Sequence, residues 1–136
     1  MHRFSTEKGQ VWRWAPVVAQ MAAIFSASSL TSVPSLPGGL SNYTGHMIGY
    51  ALLGALAIRA FAGARWAGVT GAAALRAVLL SAAYGVTDEF HQRFVTNRNS
   101  DIHDWYADIA GALVGALAVL VIARQLRRRR TGTRDV

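Results

Sequence analysis

The chain has 136 residues, of which 52% are hydrophobic, with no cysteine and a formal net charge of +7. That length bounds it to one domain, and the missing cysteines exclude a disulfide framework, a thiolate metal centre and a Cys nucleophile. The charge is uneven: residues 1–14 carry +2, residues 124–136 carry +5, and everything between is neutral. Basic ends beside long apolar segments read as a membrane-surface signal and not as a nucleic-acid interface.

Residues 1–14 form a basic N-terminal tail, and Val11 to Leu30 follows as an apolar segment. It matches the roughly 20 residues that cross a bilayer as a helix. A secretory leader is the alternative, with its basic start, apolar run and small residues at Ser26-Ala27-Ser28. The later apolar segments suit a multi-spanning chain that retains its first helix. Pro16 falls in the first turn of that helix, where its missing N–H costs little. Residues 31–42 contain prolines, glycines and serines without a charge, which predicts a loop.

Three further apolar segments run from Tyr43 to Phe61, Trp66 to Phe90 and Trp105 to Ala123, before the basic C-terminal tail at 124–136. The expected architecture is therefore an all-α polytopic membrane protein with four transmembrane helices spanning residues 15–123. Arg59 and Arg65, together with the basic ends, place both termini and the middle loop in the cytoplasm under the positive-inside rule. Arg76 interrupts the third segment. Either it sits mid-membrane, or Trp66–Leu75 lies along the interface and the span begins near Arg76, the arrangement favoured by arginine's capacity to snorkel. Trp12, Trp14, Trp66 and Trp105 fall near span ends, as interfacial anchors do.

Residues 88–108, DEFHQRFVTNRNSDIHDWYAD, concentrate the chain's chemistry between these apolar runs. Polar groups in such surroundings are costly and point to function. Helical rise sets their depth: Asp88 is twelve residues from Arg76, about 18 Å along a helix, inside a core of roughly 30 Å. Similar counts put Ser28, His46, Asp104 and Asp108 at comparable height, so all four helices are expected to contribute to one polar pocket in the outer half of the membrane. Asp88, His91 and Gln92 share a helix face, as do Asp101, Asp104 and Asp108, whose stripe continues into Gly111 and Gly115. Gly45 and Gly49 offer a second small-residue face beside His46 and Tyr50. Ordinary close packing explains such glycines equally well, and Glu89 with Arg93 fits a plain helical ion pair.

The run Tyr84-Gly85-x-x-Asp88-Glu89-x-His91-Gln92-x-Phe94-Val95, followed by Arg98, Asp101, Asp104, Gly111 and Gly115, resembles the VanZ-like family of small bacterial membrane proteins. His46 and Tyr50 resemble the His-x-x-x-Tyr of that family's second helix, and Ser28-Ser29 the serines closing its first. Thr96-Asn97 stands where members often have Pro-Gly, and Asp108 where they commonly have Asn. The resemblance implies a four-helix membrane domain. Its founding member is associated with resistance to the glycopeptide teicoplanin, and the family's biochemical activity is not settled.

Three readings of the polar region follow. In the first, the site binds or modifies an anionic or hydroxylated headgroup of a membrane lipid or a lipid-linked cell-wall precursor. Asp88, Glu89 and His91 are then the candidate acid–base groups. Ser28, His46, Tyr50, Gln92, Arg93, Arg98, Asp101, Asp104 and Asp108 are the candidate substrate-binding groups. In the second, Asp88, His91 and Asp104 hold a divalent metal, aided by His46. In the third, the polar groups fix helix packing or the domain docks on a cell-envelope partner. Neither a cofactor nor an oligomeric state follows from the residues.

Overall fold

The computed structural model describes residues 2–31 and 42–132, which fold into four α-helices with no strand among them. Helix α1 spans His2–Ser28, α2 Asn42–Phe61, α3 Gly71–Gln92 and α4 Ile102–Gly132. Helix α1 runs through the basic N-terminal residues without a break, and α4 extends into the arginine run of the C-terminal tail. The uncharged loop expected over 31–42 falls almost wholly outside the described residues.

The third apolar segment is not one helix. A single 3-10 turn, Trp66–Gly68, is followed by Thr70, whose Oγ1 accepts the Ala73 N–H at 3.2 Å and starts α3. A Thr in extended conformation just before a helix satisfies one of its orphan donors. Arg76 therefore lies in the second turn of α3, exposed, and the residues from Trp66 to Thr70 form a connection. The C-terminal end of α4 reaches this connection: the Arg127 guanidinium donates to the Val69 carbonyl at 3.1 Å and the Ala67 carbonyl at 3.3 Å.

Each helix buries one stripe. On α3 it is Ala73, Ala77, Ser81, Gly85, Asp88 and Gln92; on α4 it is Asp104, Asp108, Gly111, Gly115, Ala116 and Ala123. These spacings, mostly of three, four or seven residues, keep one face of a 3.6-residue helix turned inward. On these two stripes the buried side chains are small or polar, whereas many large apolar side chains point out. Val18, Phe25, Ile48, Leu52, Leu75, Leu79, Phe90, Val114, Leu117 and Val121 are all exposed, and every helix contributes to that set.

Small residues allow α2 and α4 to approach closely. A Cβ on Gly111 would stand 2.2 Å from the Met47 carbonyl oxygen, one on Gly115 1.9 Å from that of Ala51, and one on Gly54 2.4 Å from that of Ala112. The helix backbones thus touch at three successive levels, and only glycine fits. Gly111 and Gly115 carry the crossing as their spacing suggests. Of the expected second face, Gly49 makes no such close approach: a Cβ there meets only Ile24, at an ordinary 3.8 Å. Gly54, five residues further along α2, makes the close contact with α4.

Two apolar clusters complete the core. One joins Ala57, Ile58, Val69, Ala77, Ala116 and Leu120 from α2, α3, α4 and the connection. The other seats α1 on α2 through Val17, Ile24, Tyr50 and Leu53. The tryptophans divide: Trp12 and Trp66 are exposed, as interfacial anchors would be. Trp14 and Trp105 are instead partly buried, Trp14 edge-on against Phe61 and Trp105 donating from Nε1 to the Ala82 carbonyl at 2.9 Å.

Candidate functional site

At the end of the bundle where α1 and α3 finish and α4 begins, four carboxyl groups are buried together: Asp88, Glu89, Asp104 and Asp108, none more than 8% exposed. The helices deliver a partner to each. From α1, the Ser28 hydroxyl donates to Asp88 Oδ2 at 2.9 Å, and the Gln92 amide, one turn along α3, approaches the same oxygen at 3.4 Å. From α2, His46 Nδ1 lies 2.8 Å from Asp108 Oδ1 and its Nε2 3.6 Å from Asp104 Oδ2. The Asn42 amide donates to Asp104 Oδ2 at 3.0 Å. Glu89 Oε2 accepts the backbone N–H of Asp101 at 2.9 Å, which ties the turn before α4 to the end of α3.

These bonds use only half of each carboxylate. Asp88 Oδ1, Glu89 Oε1, Asp104 Oδ1, Asp108 Oδ2 and the Tyr50 hydroxyl are buried without a hydrogen-bond partner among the described residues. Burial of an unpartnered polar atom costs on the order of 1–3 kcal/mol, more for a charged group. Five such atoms come from three helices, α2, α3 and α4. Positive charge nearby is scarce: His46 touches two of the acids, and Arg98, half-buried with its Nε unpartnered, attracts Asp104.

The structure brings Ser28, His46, Asp88, Glu89, Gln92, Asp104 and Asp108 into this network, with Tyr50 buried beneath it. It sets others at the margin. His91 stacks on Phe25 with ring centroids 4.2 Å apart and meets the Ser29 hydroxyl at 3.0 Å, so it faces α1. Arg93 caps the C-terminus of α3, exposed, and makes no ion pair with the buried Glu89. Asp101 lies at the surface, where the backbone N–H and ring of His103 hold its carboxyl below the usual range. Asn42, expected in a loop, is a member of the site that the sequence did not single out, and Tyr84, named in the family motif without a role, donates its hydroxyl to the Met21 carbonyl at 2.6 Å. The polar character of Asn42 next to an apolar helix start was the available signal.

Residues 11–123 match the family model described as VanZ/LLP1. The chain belongs to the VanZ/LLP1 family. No curated protein and no solved structure matches it. In this VanZ/LLP1 chain one helix among the described residues is long and apolar enough to cross a membrane by length and composition, Ile102–Arg130 with mean hydropathy 2.1. Helices α2 and α3 are also long, but they carry His46 and Arg59, and Arg76, Asp88 and Glu89, respectively. Several of the residues that lower their hydropathy are those that build the acidic site.

Proposed function

We propose that this VanZ/LLP1 protein is an integral membrane protein whose four helices all cross the bilayer, with both termini in the cytoplasm, and whose acidic site binds or modifies a cell-envelope headgroup at the outer leaflet. The crossing helices are supported by the inverted pattern of burial. Many large apolar side chains face outward on every helix, while four carboxylates are buried in the interior beside alanine, glycine and a few large apolar residues. A water-soluble bundle distributes them the other way, and extended exposed apolar surface marks contact with a partner or a membrane. The basic ends and the cytoplasmic assignment of Arg59 and Arg65 follow the same charge rule as before.

The observation that carries the headgroup reading is the set of unpartnered buried oxygens shared by three helices. Carboxylates and a tyrosine hydroxyl present acceptors and one donor to a ligand rich in hydroxyl or amino groups, the chemistry of lipid and cell-wall-precursor headgroups. Arg98, at the rim, supplies a forked cation for a phosphate. His46 between Asp104 and Asp108 is placed to move a proton if a bond is made or broken.

The test is native mass spectrometry of the detergent-solubilised full chain, followed by lipid identification. A lipid or lipid-linked precursor retained by the wild type and lost in D88N and R98A variants that keep wild-type helical content supports the reading. Equal lipid retention in the folded variants, or none in the wild type under delipidation-sparing conditions, refutes it. An R65A variant, remote from the site, is the control for general lipid association.

A further inference from the structure

We propose that His46, Glu89 and Asp108 together hold one divalent first-row transition-metal ion, with Asp104 as the group that orients His46. The inference goes beyond the headgroup reading and stands without it: it gives Glu89 Oε1 and Asp108 Oδ2 to an ion and leaves Asp88 Oδ1, Asp104 Oδ1 and Arg98 to a headgroup. Each of the three residues comes from a different helix (α2, α3 and α4) and each offers one donor atom, all within 4.8 Å of one another. Donors around an ion bound at about 2.1 Å stand roughly 3–4 Å apart, so small side-chain adjustments close the shell. The metal candidates expected from sequence were Asp88, His91 and Asp104. The donors that come within 4.8 Å of one another belong to a different trio: His91 turns to α1, and Asp88, whose Oδ2 takes Ser28 and Gln92, lies outside that group.

Burial supplies an independent reason. Glu89 Oε1 and Asp108 Oδ2 have no hydrogen-bond partner among the described residues, and the two side chains are 8% and 0% exposed. An ionised carboxylate in such surroundings needs a compensating charge within contact distance. A divalent cation between Glu89 and Asp108 balances both at once, and His46 adds a neutral donor. The arrangement around the histidine is also that of a metal ligand. His46 Nδ1 faces Asp108, and its other nitrogen, Nε2, faces Asp104 Oδ2 at 3.6 Å, just beyond hydrogen-bond length. Ligating histidines usually donate their second N–H to a carboxylate, which fixes the ring and its tautomer. Asp104 is itself steadied by Asn42.

One imidazole with two carboxylates suits Zn2+ or Mn2+, since imidazole favours the former and carboxylates the latter. Mg2+ and Ca2+ favour all-oxygen shells. Tyr50, whose hydroxyl is buried without a partner among the described residues, lies on the same face of α2 as His46, one turn along. It is positioned to bond a ligand of the ion.

The test uses the full chain in detergent without added phospholipid, so that it is independent of headgroup binding. Purified protein stripped with a chelator is titrated with Zn2+ or Mn2+ by calorimetry, and stoichiometry is read by elemental analysis. One ion per chain is expected, with E89Q and D108N each lowering affinity by at least about tenfold and D104N by about 10–100-fold, the range for loss of an orienting partner. H103A, an exposed histidine bonded to Asp101, leaves affinity unchanged. Co2+ added to the wild type should shift and broaden the His46 imidazole NMR signals ahead of those of His91 and His103. This second measurement holds even if a variant fails to fold. Sub-stoichiometric binding at saturating metal, affinity indifferent to E89Q and D108N, or broadening centred on His91 or His103 overturns the proposal.

Discussion

Replacing Gly111 by Ala tests whether the acidic site depends on the backbone contact between α2 and α4. The added Cβ would stand 2.2 Å from the Met47 carbonyl oxygen and 2.9 Å from the Met47 carbonyl carbon and Cα. These are backbone atoms, so no rotamer change relieves the clash, and the helices must part by about 1.2 Å to reach ordinary contact at 3.4 Å. Met47 directly follows His46, and Gly111 is one turn from Asp108. The same displacement stretches the 2.8 Å His46–Asp108 contact toward about 4 Å, past hydrogen-bond length. Overpacking of this kind costs about 1–3 kcal/mol. The proper reference is G49A on the facing helix, where the new Cβ meets only Ile24 at 3.8 Å and the substitution improves helix propensity by up to about 1 kcal/mol. G111A gains the same helix propensity, so it should be less stable than G49A by the overpacking cost alone, about 1–3 kcal/mol. Equilibrium unfolding in mixed micelles, followed by circular dichroism, measures the difference, and His46 imidazole NMR shifts report the site. Equal stability of the two variants with unmoved His46 signals would refute the reasoning.

Further expectations follow from single contacts. Ser28→Ala removes the donor to Asp88 Oδ2, and should destabilise the fold by about 1–3 kcal/mol in the same unfolding assay; Ser26→Ala, whose hydroxyl bonds only its own helix and is exposed, should change stability by less than about 0.5 kcal/mol. Trp105→Phe removes the 2.9 Å indole donor to the Ala82 carbonyl and should cost about 1 kcal/mol, with loss of the fluorescence of this partly buried indole. The Asp101 carboxyl should titrate below the ordinary value of about 3.9 in a 13C-detected pH titration, staying ionised as pH falls through that value. H103A should bring its midpoint only part of the way back, because the larger influence is the His103 backbone N–H, which the substitution keeps. A midpoint at or above the ordinary value in the wild type would contradict the geometry.

Much of this protein follows from its sequence read one residue at a time. Helical spacing places Asp88 with Gln92 on one face, and Asp104 with Asp108, Gly111 and Gly115 on another, whatever the helices pack against. Counting along each helix also puts Ser28, His46, Asp88 and Asp108 near one height, because the rise per residue is a property of the backbone alone. What spacing does not contain is the rotation of one helix against the next. Tertiary packing turned His91 toward Phe25 and His46 toward Asp108, made Gly54 and not Gly49 the close contact on α2, and drew Asn42 onto Asp104. It also left Arg93 outside while burying Glu89, so residues four apart on one helix ended in different surroundings. Side-chain period sets which residues travel together, but the direction they face is decided by steric fit between whole helices, here by three glycines meeting three carbonyl oxygens.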